Sequence, residues 1–148
     1  MYFIKVDNDK KGVELLSYID TASFNLPWTS AQWRNEVENP NNHVFLISED
    51  EELLFPVGFL SYGISGCDIE LKKIAVLPQY RKMKFASMAI EKMIEDGRSE
   101  GIQNIIVEVA VTNLPAIRLY EKYSFYKIYI RKKYYDNLVD AIVLQKEV

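Results

Sequence analysis

The chain has 148 residues, of which 18 are Lys or Arg and 21 are Asp or Glu, so its formal net charge is −3. A chain of this length is expected to fold as a single domain over residues 1–148, with a core that needs no disulfide or metal. The acidic balance argues against a protein that binds nucleic acid or an anionic membrane through general charge attraction.

The cysteine and histidine counts exclude several kinds of site. Cys67 is the one cysteine, so an intramolecular disulfide cannot form and a reducing, cytoplasmic setting is indicated. His43 is the one histidine, so a zinc cluster of several histidines and cysteines cannot form either. No apolar run approaches the ~20 residues that a membrane-spanning helix requires. We therefore expect a cytoplasmic protein with no metal site, no membrane contact and no nucleic-acid partner.

In chain order, the N-terminal half predicts a strand, two amphipathic helices and then three strands. Apolar residues recur at helical spacing in both helices, and Thr29 or Ser30 follows Pro27 as a candidate N-cap of the second. The three strands are short, rich in β-branched and aromatic residues, and separated by turn-forming residues. The predicted ranges are 2–6 (strand), 10–19 and 29–38 (helices), and 44–48, 54–64 and 69–77 (strands).

The C-terminal half predicts a long helix, a central strand, a second helix and a final antiparallel pair of strands. The central strand is apolar on both faces apart from Glu108, which is typical of a strand covered on both sides. Asn113 is a candidate N-cap of the helix that follows it. The predicted ranges are 84–99 and 114–123 (helices), and 104–111, 125–131 and 138–145 (strands). The order β-αα-βββ-α-β-α-ββ predicts an α/β fold with a mixed, mostly antiparallel sheet flanked by helices.

Positive charge is concentrated where the strand ending at Leu77 gives way to the long helix. Arg81, Lys82 and Lys84 lie within four residues at this junction. A helix N-terminus offers unpaired N–H groups and partial positive charge, which suit a ligand with several phosphates. The alternative is a solvated helix start, in which each exposed cation opposes the helix dipole by roughly 0.3–1 kcal/mol. A bound anion would remove that conflict, and both interpretations stay open at this point.

Two further residues allow a catalytic and a structural interpretation. A carboxylate at Glu108, inside an apolar strand, requires either an ion pair with a neighbouring Lys or Arg or a solvated cleft, where it could act as a general base. Tyr120 is by its helical position either a core aromatic residue or a proton donor. The residues alone do not decide between these interpretations.

Two segments carry a resemblance to a known family. PQYRKMKFA, residues 78–86, resembles the acetyl-CoA loop Gln/Arg-x-x-Gly-x-Gly/Ala of the GNAT superfamily of N-acetyltransferases, with Lys84 at the usual glycine. VEVAVTNLPAIRLYEKYSF, residues 107–125, resembles the superfamily pattern Glu-Val-x-x-x-Asn-x-x-Ala-Ile-x-Leu-Tyr-x-x-x-Gly-Phe, with Ser124 at the usual glycine. The resemblance implies the GNAT fold and acetyl-CoA as the acetyl donor.

The flanking segments are similar to one branch of that superfamily. LPWTSAQWRNEVENPNNHVFLI (residues 26–47) and IRKKYYDNLVDAIVL (residues 130–144) resemble the ribosomal-protein-alanine N-acetyltransferases, the RimI-like enzymes. The resemblance therefore extends over most of the chain. It implies direct transfer of acetyl from acetyl-CoA to a protein N-terminal α-amine, with CoA as the second product.

The resemblance also implies roles for individual residues. Glu108 would be the general base and Tyr120 the general acid, and the backbone near residues 74–76 would stabilise the oxyanion. Trp28, Tyr134 and Tyr135 would flank the acceptor peptide. The alternative is that the tryptophans are hydrophobic anchors between helix and sheet, which helical spacing favours for Trp33. The expected cofactor-binding residues are Ile74, Ala75, Val76, Arg81, Lys82, Met83, Lys84, Phe85, Ala86, Asn113 and Tyr120.

Three alternatives remain at the level of the sequence. The first is a GNAT enzyme that acetylates a small-molecule amine or a lysine side chain, because substrates vary on this fold. The second is a catalytically weak acyl-CoA sensor, which the replacement of two glycines by Lys84 and Ser124 would suit. The third is a nucleic-acid module that stacks bases on Tyr80 and Phe85, which the net charge disfavours. The acceptor, the effect of Lys84 on CoA affinity and the oligomeric state, a homodimer included, are left open.

Overall fold

The computed structural model describes every residue except 54 and 136–138, and leaves the side chains of 133–135 undescribed. The strands are β1 (Tyr2–Lys5), β2 (Asn42–Ser48), β3 (Pro56–Ser65), β4 (Asp68–Val76), β5 (Asn104–Ala110), β6 (Tyr126–Tyr135) and β7 (Val139–Glu147). The helices are α1 (Lys10–Ser23), α2 (Ser30–Glu38), α3 (Phe85–Ser99) and α4 (Leu114–Lys122), and a 3₁₀ turn spans Pro78–Tyr80. The predicted order of strands and helices is confirmed, and the short 3₁₀ turn is an addition to it.

The strands form one seven-stranded mixed sheet in the order β1-β2-β3-β4-β5-β7-β6. The pairs β1–β2, β2–β3, β5–β7 and β6–β7 are antiparallel. β4 and β5 are parallel and pair from Asp68 with Asn104 to Glu70 with Ile106. The predicted mixed and mostly antiparallel sheet is therefore confirmed.

The chain divides into two compact units, which are described separately below. The first unit contains Met1–Gly63 and Lys72–Met93, and the second contains Ile64–Leu71 and Ile94–Val148. The first unit thus includes the basic loop before α3, and the second includes β5, α4, β6 and β7. Each unit contains part of the residues predicted to be functional.

The core of the first unit forms where α1 and α2 bury apolar side chains. Leu16 and Ile19 are three residues apart on one side of α1, and both are fully buried, as is Trp33 of α2. α2 begins with a capping box, in which Thr29 accepts a hydrogen bond from the Gln32 amide and Gln32 accepts one from the Thr29 amide. Of the two predicted caps, Thr29 is therefore the one used.

β5 differs from the prediction in the burial of its two faces. Its side chains alternate between buried and half-buried positions, with Ile105, Val107 and Val109 at most 5% exposed. The prediction of a strand covered on both faces is therefore wrong. The reason is that the second face carries Asn104 and Glu108, whose polar groups hydrogen-bond or pair with side chains of β4, β6 and β7.

β6 is longer than predicted, since it continues to Tyr135, whose partner in the register is Val139 of β7. The predicted strands 125–131 and 138–145 leave Tyr134 and Tyr135 in the turn between them, and that placement is wrong for their backbone. Tyrosine is favoured in strands, so the aromatic run continues the strand instead of ending it. The side chains of both tyrosines lie outside the described residues.

Candidate functional site

The basic loop of the first unit has the backbone conformation that the glycine of the family pattern would allow. Lys84, at the glycine position of the acetyl-CoA loop pattern, has a φ of +68°, and Lys82 has a φ of +65°. The left-handed region is open to glycine and costs an L-residue roughly 1–2 kcal/mol. The loop therefore takes the glycine-like conformation although lysine occupies the position.

The start of α3 supplies backbone donors next to this loop. The first helical hydrogen bond in this turn runs from the Met88 amide to the Lys84 carbonyl, at 3.0 Å. The amides of Phe85, Ala86 and Ser87 precede the ladder, so the helix itself offers them no acceptor. With the exposed side chains of Lys82 and Lys84, this helix start fits a ligand with several negative charges, such as a diphosphate.

The other predicted binding residues of this unit have different roles. Arg81 donates a hydrogen bond from Nε to the Val76 carbonyl at 3.1 Å, so part of its guanidinium fastens the loop to the end of β4. The side chains of Ala75 and Val76 are 6% and 8% exposed. Neither side chain therefore offers a surface on which a ligand could bind. Met83, by contrast, is 55% exposed in the loop.

A buried carboxylate that the sequence analysis missed organises the residues around Trp28. Asp20 is fully buried and accepts hydrogen bonds at Oδ2 from the Trp28 amide (2.9 Å) and from Trp33 Nε1 (3.0 Å). Its Oδ1 lies 2.7 Å from Lys73 Nζ, whose side chain is 12% exposed. The Lys73 ammonium also lies 4.5 Å from the centre of the Phe24 ring and 4.8 Å from that of Trp28.

The arrangement fixes Trp28, the tryptophan predicted to flank the acceptor. Its backbone is held by Asp20, and its ring centre lies 4.7 Å from that of Trp33. Trp33 itself is fully buried against Phe59, so its interpretation as a core anchor is confirmed. The signal in the sequence was a single acid at the end of the apolar side of α1, where an unpaired charge would be costly.

In the second unit, Glu108 is held by an arginine. Its Oε1 lies 3.0 Å from Nη2 of Arg131, and the two side chains are 19% and 41% exposed. Nη2 of Arg131 also donates to the Tyr129 hydroxyl at 3.3 Å. Glu108 lies two residues beyond Ile106, the last residue of β5 that pairs with β4. The carboxylate therefore has the ion pair that the structural alternative required, and it also keeps access to solvent.

Tyr120 and Asn113 are placed by the helix α4. Tyr120 is 4% exposed, and its ring centre lies 5.6 Å from that of Phe125. Asn113 is the N-cap, because its Oδ1 accepts a hydrogen bond from the Ala116 amide at 3.3 Å. The carboxamide oxygen is thus used by the helix, and the amide nitrogen is the part of this side chain suited to donate to a ligand.

The second glycine replacement also has a glycine-like backbone. Ser124 has a φ of +68°, and its amide donates to the Glu121 carbonyl at 2.9 Å, while the Phe125 amide donates to the Tyr120 carbonyl at 3.1 Å. This is the hydrogen-bond pattern of a Schellman motif, which normally has glycine at this position. Ser124 therefore ends α4 as the glycine of the family pattern would.

Neither a metal-binding cluster nor a helix able to cross a membrane is found among the described residues. In the part of the chain that the structure describes, no group of three or more His, Cys, Asp or Glu side chains could hold a metal ion. Within the same residues, every helix is too short or too polar to cross a membrane.

Comparison with known proteins gives a consistent set of relatives. Residues 13–125 match the sequence profile of the acetyltransferase (GNAT) family. A provisionally named ribosomal protein bS18-alanine N-acetyltransferase of Bacillus subtilis is 32% identical over 128 residues, which covers 85% of this chain and 83% of the relative.

Two solved structures are similar in fold. The ribosomal-protein-S18-alanine N-acetyltransferase of Escherichia coli has a TM-score of 0.87 at 21% identity, with 99% of this chain and 94% of that chain covered. Arabidopsis thaliana NAA60 in complex with acetyl-CoA has a TM-score of 0.85 at 17% identity, with 99% of this chain and 98% of that chain covered.

Proposed function

The chain belongs to the acetyltransferase (GNAT) family and is an acetyl-CoA-dependent N-acetyltransferase, and we propose that its acceptor is the N-terminal α-amine of a protein. The observation that carries this proposal is the similarity, over 85% of the chain, to a ribosomal protein bS18-alanine N-acetyltransferase. We propose a terminal alanine as the acceptor residue, one acetyltransferase domain over residues 1–148, and the cytoplasm as the place of action.

Binding of the acetyl-CoA diphosphate is assigned to the basic loop of the first unit. The cofactor supplies an acetyl group activated as a thioester. The amides at the start of α3, with Lys82 and Lys84, would hold its diphosphate, and the left-handed Lys84 supports this because it directs the loop backbone as glycine would. The backbone of Ile74 and Val76 and the Asn113 amide nitrogen would hold the pantetheine arm.

Glu108 is assigned the role of general base. A protein α-amine has a pKa of about 8, so at neutral pH much of it carries the proton that must leave before it can attack. Glu108 is half-buried, which lets it receive that proton directly or through one water molecule. The backbone amides near residues 74–76 are assigned to the oxyanion that forms on the acetyl carbonyl.

Tyr120 is assigned the role of general acid. The departing thiolate of CoA requires a proton, and a phenol, with a pKa of about 10, is a suitable donor. The position of Tyr120 at the tyrosine of the family pattern supports this role. The transfer is direct, so no enzyme nucleophile is required, in keeping with the position of Cys67 in an exposed turn.

The acceptor class is tested with matched substrates. Purified protein and acetyl-CoA are supplied with a peptide that begins with alanine, the same peptide with a blocked N-terminus and an internal lysine, and a polyamine. We expect acetylation of the first alone, located at the α-amine by fragmentation mass spectrometry. Faster acetylation of the lysine or the polyamine would show that this amine, and not the protein N-terminus, is the preferred acceptor. CoA binding without any acetylation would favour the acyl-CoA sensor.

A further inference from the structure

Glu108 and Arg131 lie on the same face of the sheet of the second unit, although a strand separates them. In the strand register, Glu108 lies opposite Val143 of β7, and Arg131 lies opposite Ala141 of the same strand. Val143 and Ala141 are two residues apart, so their side chains project to one face, and directly paired residues project to that face as well. The ion pair therefore reaches across β7.

This arrangement depends on one extra residue in β6. Lys127 pairs with Leu144 and Tyr129 pairs with Val143, so two steps along β6 correspond to one step along β7. Ile128 is the residue between them and forms a β-bulge. Side chains alternate along a strand, so without the bulge Tyr129 and Arg131 would project to the opposite face from Glu108.

From this geometry we propose that the bulge at Ile128 and the side chain of Arg131 form a positioning device for the Glu108 carboxylate. Arg131 is a positioning residue, since it acts on the reaction through Glu108. The inference rests on the proposed role of Glu108 as general base. Nη2 of Arg131 holds Oε1 of Glu108 at 3.0 Å.

Stability alone is a weak reason for such a pair. Both side chains are partly exposed, and ion pairs of this kind contribute little to folding. A catalytic base, in contrast, loses much of its effect on the rate when it is displaced by about 1 Å. The planar guanidinium gives a directional contact to a carboxylate, and its second contact, with the Tyr129 hydroxyl, restricts its own rotation.

The test compares the variants Arg131→Met, Arg131→Lys and Arg131→Ala with Glu108→Gln. Turnover, the KM values for acetyl-CoA and for an alanine-initiated peptide, and the melting temperature are measured for each. We expect Arg131→Met to lower kcat roughly 10- to 100-fold while the KM for acetyl-CoA and the melting temperature stay unchanged. Arg131→Lys should recover part of that loss.

Chemical rescue separates positioning from a purely structural role. Millimolar guanidinium chloride should raise the turnover of Arg131→Ala and leave wild type and Glu108→Gln unchanged, with sodium chloride as the salt control. The matched control variant is Lys132→Met, which removes another β6 cation, one that pairs with Asp140 at 3.5 Å and is 79% exposed. Its kcat should equal that of wild type.

Each outcome decides the proposal. Normal turnover in Arg131→Met with a slow Glu108→Gln would refute the positioning role and leave the proposed function intact. Normal turnover in both would refute the assigned base itself. If Arg131→Met and Arg131→Ala lose both stability and turnover, guanidinium decides: recovery of turnover supports the proposal, and absence of recovery overturns it.

Discussion

Lys73 and Asp20 form a buried ion pair that joins strand β4 to the C-terminal part of helix α1, with 2.7 Å between Nζ and Oδ1. The carboxylate of Asp20 also accepts the amide of Trp28 and the indole N–H of Trp33. One buried charge thus fixes a strand, two helices and the segment between the helices. The segment that precedes α2 carries the predicted acceptor residue Trp28, so its position depends on this pair.

Breaking the pair should strongly destabilise the protein. Asp20→Asn or Lys73→Met leaves a buried charge without its partner, which costs about 3–5 kcal/mol in comparable pairs. The measurement is the free energy of unfolding from urea titration. The matched control is Glu14→Gln, whose pair with Lys10 is exposed and 4.0 Å long and should change stability by less than about 0.5 kcal/mol.

The double variant Asp20→Asn/Lys73→Met gives the sharper result. It should lose less stability than the two single changes added together, because no unpaired charge remains. Additive losses would mean that the two side chains contribute independently and that the pair does not hold the segment.

Substitution by glycine at the two positions where this chain departs from the family pattern should stabilise the protein. Lys84 and Ser124 both have a φ of +68°. Lys84→Gly and Ser124→Gly remove the strain, which exceeds the entropy cost of glycine, so each should add about 0.5–1 kcal/mol to the free energy of unfolding.

The control for these changes is Arg118→Gly, in the exposed part of α4, which should lower stability by about 1 kcal/mol. Stability is measured by chemical denaturation without ligand, so that altered CoA binding does not contribute. A loss of stability in Lys84→Gly comparable to that in Arg118→Gly would contradict the left-handed backbone of the loop.

The cations of the basic loop should contribute to CoA affinity. Lys82→Met with Lys84→Met should raise the Kd for CoA, and the difference from wild type should shrink as salt increases, because both side chains are exposed. Calorimetric titration measures the Kd, and acetyl-pantetheine, which lacks the diphosphate, should bind both proteins equally. Lys5→Met, at an exposed position of β1 outside the predicted cofactor-binding residues, is the charge-matched control. An unchanged Kd for CoA would show that these two lysines do not bind the diphosphate.

Tyr120→Phe should lower turnover without loss of stability. The substitution retains the ring that packs against Phe125 and removes only the hydroxyl. If the phenol protonates the leaving thiolate, kcat should fall by roughly 10²–10⁴, while CoA affinity and the melting temperature stay near wild type. Acetyl-CoA analogues whose leaving thiol has a lower pKa offer a further check. Such a thiolate needs less protonation as it leaves, so the loss of kcat in Tyr120→Phe should be smaller. Turnover equal to wild type would leave Tyr120 as a core residue.

Local features of the fold were predictable from the sequence. Helical and strand periodicities gave the order of the elements, because apolar residues recur on the face of each helix or strand that is buried. Capping chemistry gave Thr29 and Asn113, since a short polar side chain before a helix accepts a hydrogen bond from its first turn. Both glycine replacements were visible as departures from a motif, and the backbone that they adopt is that of the residue they replace.

Features that depend on distant contacts were not predictable. Asp20 and Lys73 are 53 positions apart, and no local pattern joins them. The bulge at Ile128 shifts the register by one residue inside an otherwise regular run, so sequence alternation alone places Arg131 on the wrong face. The half-open face of β5 was missed for the same reason, because the partners of Glu108 come from another strand.

The most direct test of the account is the initial rate of acetylation of an alanine-initiated peptide by wild type and by Glu108→Gln, at saturating acetyl-CoA. If Glu108 is the general base, wild type acetylates the α-amine and Glu108→Gln does so at a rate roughly 10²- to 10⁴-fold lower, with CoA binding unchanged. Equal rates for the two proteins, or no acetylation of any amine by a wild type that binds acetyl-CoA, would contradict it.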